Sequence, residues 1–124
     1  MKAELGRYRM KESLLRTLVY NRPSEMEEEI RKKPVLLEAM QLTGSGPHDI
    51  EVYQWIENHV GGFGPVELQG EQKGVSVDPR TGFMLLATPD GVKEAEPGDW
   101  IIRGIRGDFH PIKPDVFKAT YDPA

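Results

Sequence analysis

Apolar and polar positions change period several times along this chain, and each change marks an element. Met10, Leu14 and Leu18 recur at i, i+4, i+8, and Tyr8, Leu15 and Val19 widen that stripe. Lys2, Arg7, Arg9, Lys11 and Arg16 fall on the other side, which predicts a basic amphipathic helix over residues 2–20. Ser24 and Glu27 then form a capping box for a second, short helix that Pro34 ends. Val35 to Leu42 alternates and predicts a strand, with Leu37, Ala39 and Gln41 on one face and Leu36, Glu38, Met40 and Leu42 on the other.

Residues 48–60 return to helical spacing. Ile50, Tyr53, Ile56 or Glu57, and Val60 fall near helical spacing, Val52, Trp55 and Ile56 broaden the apolar side, and Gly61–Gly62 provide the stop. The remainder is β-rich. Short apolar runs, "GVSVD" and "GFMLLAT", flank a turn at residues 78–82, and Asp90–Gly91 signals a hairpin into "VKEAE". "GDWIIRGI" predicts an interior strand, Gly104 and Gly107 a turn, Asp108–Ile112 a further strand, and "KPDVFKATY" a short helix opened by Pro114. This order predicts an α+β fold: a small, mostly antiparallel sheet with one packed helix and a short C-terminal helix, preceded by an N-terminal helical arm. The expected division is an arm over residues 1–33 and an α+β domain over residues 34–124.

Charge sharpens that division. Residues 1–22 carry six basic and two acidic side chains, whereas residues 35–124 carry seven basic and fourteen acidic ones. An acidic body makes a poor general nucleic-acid binder, because phosphate contacts need a basic face. The basic arm complements the acidic body, which suggests a homo-oligomer formed by exchange of the N-terminal helix. The chain has no cysteine, which removes disulfides, thiolate metal sites and a cysteine nucleophile. No apolar run is long enough to span a membrane, and the N-terminus lacks a signal-peptide core.

Motifs for catalysis are missing. There is no G-x-S-x-G, H-E-x-x-H or Walker A sequence, and "GGFG" lacks the lysine that a phosphate cradle needs. His48, His59 and His110 are too dispersed to share a metal, so no metal or cofactor is expected. Asp99 suits the Pro97–Gly98 turn and Asp115 the first turn of the last helix. The cations around the last strands are more suggestive. Arg103 shares a face with Ile101 and Ile105, so it needs a partner, either an internal carboxylate such as Glu38 or an anionic ligand. Arg103, Arg106, His110 and Lys113 are the candidate ligand-binding residues, converging on one anion near the start of the last helix.

Two stretches, "RKKPVLLEAMQLTG" (31–44) and "PGDWIIRGIRGDFHPIKPDVFKATYD" (97–122), resemble a family of small uncharacterised phage and prophage proteins. Its members open on an RKKPV..EAMQ-like strand and close on a PGDWIIRG…GEFYP.KPDIF…TYE-like segment. The motifs cover about a third of the chain, and their spacing extends the resemblance over roughly residues 31–122. Asp108 stands where Glu is more usual and His110 where Tyr is, so a role for His110 would be particular to this chain. The resemblance implies viral origin and action in the host cytoplasm, and carries no catalytic residue. Met26 opens "MEEEIRKKPV" just ahead of the matched region and is a second candidate start, against which the periodic face of residues 8–19 argues.

These features lead to the expectation of a non-catalytic phage accessory protein. It would bind a host protein or a small anionic, nucleotide-like ligand, as a counter-defence protein does. One alternative is a virion structural or decoration protein using the N-terminal helix for assembly contacts. Another is a small enzyme acting on a phosphorylated substrate, for which no nucleophile–base pair is visible.

Overall fold

A computed structural model describes residues 4–11, 36–63, 73–104 and 106–124 of the chain. Among these residues the fold is α+β, with eight strands in two antiparallel sheets and two helices. The strands are β1 (Gly6–Met10), β2 (Leu37–Gln41), β3 (Val75–Val77), β4 (Met84–Thr88), β5 (Gly91–Ala95), β6 (Trp100–Arg103), β7 (Phe109–Ile112) and β8 (Tyr121–Pro123). The helices are α1 (Gly46–Val60) and α2 (Pro114–Thr120). The larger sheet has the order β7-β6-β2-β1-β8 and the smaller β3-β4-β5.

Gly6–Met10 corrects the helix expected over residues 2–20. The stretch is a strand, paired with β2 on one side and β8 on the other. Its own alternation explains this: Arg7 and Arg9 are exposed, while Tyr8 packs against Trp100 and Phe117. The helical stripe borrowed Tyr8 and Met10 from a period-2 segment, and two neighbouring strands decide between the periods. The remainder of that helix, the capped helix after Ser24, and the Arg31–Val35 stretch lie outside the described residues.

Directly opposed residues of an antiparallel pair share a face. One row therefore runs Arg7–Glu38–Arg103–Phe109 across β1, β2, β6 and β7, and the next runs Gly6–Ala39–Ile102–His110 on the opposite face. The first face meets α1 and the small sheet. Met40, Ile101 and Phe109 from the large sheet, Val52, Trp55 and Ile56 from α1, and Val75, Met84 and Leu86 from the small sheet make the main core. Trp55 and Phe109 meet edge to face at 4.9 Å. On the second face, Ala39, Ile102 and Phe117 form a smaller cluster flanked by Tyr8, Leu37, Trp100, Ile112 and Tyr121. The Trp100 and Phe117 rings stack with centroids 4.0 Å apart.

The turns follow their residues. Asp99 N–H donates to the Glu96 carbonyl (3.0 Å) around Pro97–Gly98, with Gly98 at φ 94, as a type II turn requires. Pro89–Asp90 make the tip of the β4–β5 hairpin, and Gly91 at φ 112 opens β5. Gly61 ends α1 at φ 79, its N–H donating to Glu57 O. No helix among the described residues is long and apolar enough to cross a membrane.

Candidate functional site

Helix α1 carries two stripes. Val52, Trp55 and Ile56 turn into the core, while Gly46, Asp49, Ile50, Tyr53 and Glu57 recur every three or four residues along another side. That second stripe is one wall of a cleft of about 690 Å³. Val77 and the Thr81–Gly82–Phe83 turn contribute a second wall, and Leu42, Met84, Ala95 and Pro97 complete the described lining. Ile50, expected in the helix's core face, is 57 % exposed here, and Val77 is 42 % exposed.

Both walls are held by local hydrogen bonds. The Asp49 carboxylate accepts the backbone N–H of Thr43 (3.0 Å) and of Gly44 (2.9 Å), tying the β2–α1 loop to the first helical turn. On the other wall, Asp78 is buried and accepts the Arg80 N–H at 2.9 Å. Its N–H reaches the Phe83 carbonyl (2.9 Å), and the Gly82 N–H reaches the Asp78 carbonyl (2.7 Å). The Arg80 N–H chiefly, with the Arg80 charge behind it, holds the Asp78 carboxyl below its ordinary value against the opposing effect of burial.

Among the described residues, the charges in the lining are both acidic, Asp49 and Glu57. Asp49 is engaged with the loop, whereas Glu57 has no hydrogen-bond or ion-pair partner among the described residues. Tyr53 lies one turn before Glu57 and is raised above its usual pKa, first by burial and then by the Glu57 charge. Its hydroxyl remains a neutral donor, 3.5 Å from the Val75 carbonyl. Among the described residues no histidine lines the cleft. The Thr81 hydroxyl accepts the Phe83 N–H at 3.2 Å. The arrangement provides an apolar recess with one open carboxylate, which suits binding.

The four cationic candidates are not brought together. Arg103 donates to Glu38 Oε1 at 3.0 Å on the core-facing side of the large sheet. His110 belongs to the opposite face and bonds Asp108 two residues before it. That contact chiefly lowers the Asp108 carboxyl below its ordinary value. Lys113 reaches both oxygens of buried Asp99, at 3.2 and 3.1 Å, and Glu96 at 3.5 Å. Asp99 is the first cause of the raised Lys113 pKa. Arg106 is exposed on the Gly104–Asp108 turn. Three of the four thus already hold a carboxylate. His48 and His59 each bond a backbone carbonyl, of Gln41 at 2.6 Å and of Trp55 at 2.7 Å. No cluster of three potential metal ligands occurs among the described residues.

The sequence did not single out Ile50, Tyr53, Glu57 and Val77 as a site. The available signal was the second stripe on α1, whose apolar members were assigned to the core. Comparison with known proteins finds no match among family models, curated proteins or solved structures.

Proposed function

We propose that the protein acts by binding rather than catalysis, as a phage accessory protein whose target inside the infected cell is a host protein, with the α1 cleft as the docking site. The observation that carries this reading is the exposure of Ile50 and Val77 together in the lining of a recess of about 690 Å³. Large apolar side chains exposed together in a concave site favour an apolar occupant. A protein target is preferred to a small anion for a second reason. Among the described residues the cleft carries only negative charge, and Arg103, His110 and Lys113 are each engaged by a carboxylate. The phage assignment rests on the sequence resemblance alone.

The test is affinity capture from bacterial lysate with wild-type protein and with Ile50→Asp, a change at an exposed position. A defined host protein retained by the wild type and lost with Ile50→Asp supports the reading. Retention by both moves the docking site elsewhere. Recovery of the protein as a stoichiometric component of purified virions replaces the accessory role with a structural one.

A further inference from the structure

We propose that the cleft recognises a protein segment pairing an apolar side chain with a Lys or Arg about three residues away, the apolar group lying between Ile50 and Val77 and the cation on Glu57. This rests on the reading of the cleft as a docking site and names the chemistry of its occupant.

Three observations converge. Ile50 and Val77 are two of the six large apolar side chains left exposed among the described residues, and both line this recess. The Glu57 carboxylate is on the same helical stripe as Ile50, without a partner among the described residues, while the Asp49 carboxylate is spent on the Thr43 and Gly44 N–H groups. Among the described residues no Lys, Arg or His lines the cleft to neutralise Glu57, so charge complementarity selects a cationic group on the occupant. Spacing fixes the motif. Seven residues of helix separate Ile50 from Glu57 by about 10 Å, a distance that about three residues of extended peptide cover. Tyr53 stands between them, its ring available to the stem or the charge of the arriving side chain.

The experiment titrates isotope-labelled protein with the blocked peptide acetyl-Leu-Gly-Ser-Arg-amide and follows backbone amide resonances. Two control peptides replace the Arg by Glu or the Leu by Ser. The Leu/Arg peptide is expected to shift Ile50, Glu57 and Val77. Replacing its Arg by Glu should weaken binding about fivefold, the scale of one partly solvated ion pair, and replacing its Leu by Ser should abolish the shifts. Glu57→Gln, an exposed and near-isosteric change, should erase the Arg-over-Glu preference while leaving the folded spectrum intact. An unchanged preference in Glu57→Gln, or shifts confined to other surfaces, overturns the proposal. So does a dimer of the free protein, seen by light scattering, that Ile50→Asp dissociates, because the occupant is then a second copy. Lysate capture separates this failure from that of the docking reading. A host protein lost with Ile50→Asp but kept with Glu57→Gln leaves the docking site standing and removes only the cation. Capture indifferent to both variants removes the docking site itself.

Discussion

Arg103 on β6 and Glu38 on β2 are directly paired in the register, and their side chains meet at 3.0 Å. Both are about one-third exposed, and both stand on the sheet face that carries Ile101 and Met40. The pair closes the core at the point where the apolar row ends. Removing one partner strands the other beside the core. Arg103→Met and Glu38→Gln should each cost about 1 kcal/mol, and the double mutant less than their sum, with a coupling of about 0.5–1 kcal/mol. Urea unfolding of the four proteins measures it. Coupling indistinguishable from zero would make the contact incidental.

Asp99 is a second structural carboxylate. It is 3 % exposed, accepts the Glu96 N–H at 2.9 Å and holds Lys113. The turn it braces is joined to β2 by the Gly98 N–H to the Leu42 carbonyl and by the Leu42 N–H to the Asp99 carbonyl. Asp99→Ala should destabilise by about 2 kcal/mol, since a buried N–H loses its acceptor and a lysine its anchor. Asp99→Asn keeps an acceptor and should cost less. Equal midpoints for the two variants in urea would locate the loss elsewhere.

Acid should unfold the protein through Asp78 and Asp108. Both carboxyls lie below their ordinary value of 3.8 in the folded chain. The stabilisation is therefore complete above the unfolded-chain pKa and lost as pH falls through the lower folded values. Stability should drop as pH falls below about 4. Asp78→Asn, which still accepts the Arg80 N–H, should flatten that drop. Urea midpoints across the range give the slope, and an identical slope in the variant would exonerate Asp78.

Two glycines with positive φ should respond very differently to alanine. A Cβ at Gly74 (φ 89) would fall 1.9 Å from the Gly61 carbonyl oxygen, a fixed backbone atom beside the end of α1. Gly82 (φ 74) opens onto free space. Gly82→Ala should cost about 1 kcal/mol for the dihedral alone. Gly74→Ala adds a clash and should cost about 3 kcal/mol or more. Thermal unfolding of both variants gives the ranking, and equal losses would mean that the Gly61–Gly74 contact relaxes freely.

Elements with a single unambiguous period were legible in the sequence. The Val52–Trp55–Ile56 stripe and the Gly61 stop gave α1, and the Trp100–Arg103 alternation put Trp100 and Ile102 on one face and Ile101 and Arg103 on the other, as the two clusters confirm. The apolar company of Arg103 is enough to demand a partner, and the sequence offers Glu38 as one. β1 was hidden because Tyr8 and Met10 satisfy both a helical and a strand period. The three residues of β8 are too few to carry any pattern. Convergence of Arg103 with His110 failed on parity: their register positions differ by one, which places them on opposite faces. The cleft has no local signature, because α1, the 78–83 turn and Pro97 meet only in the folded chain.

β1 and β8 pair through Arg9 and Asp122, and the Ala124 N–H donates to the Arg7 carbonyl at 3.0 Å. On the ribosome, β1 must wait for β8, which is made more than a hundred residues later. Until then β1 has β2 as its sole described neighbour, and its other edge is an open row of amide and carbonyl groups. The long loop to be closed makes this a late, slow contact. Completion of the larger sheet thus comes late in the folding of this chain, and that edge of β1 stays unguarded until β8 has emerged.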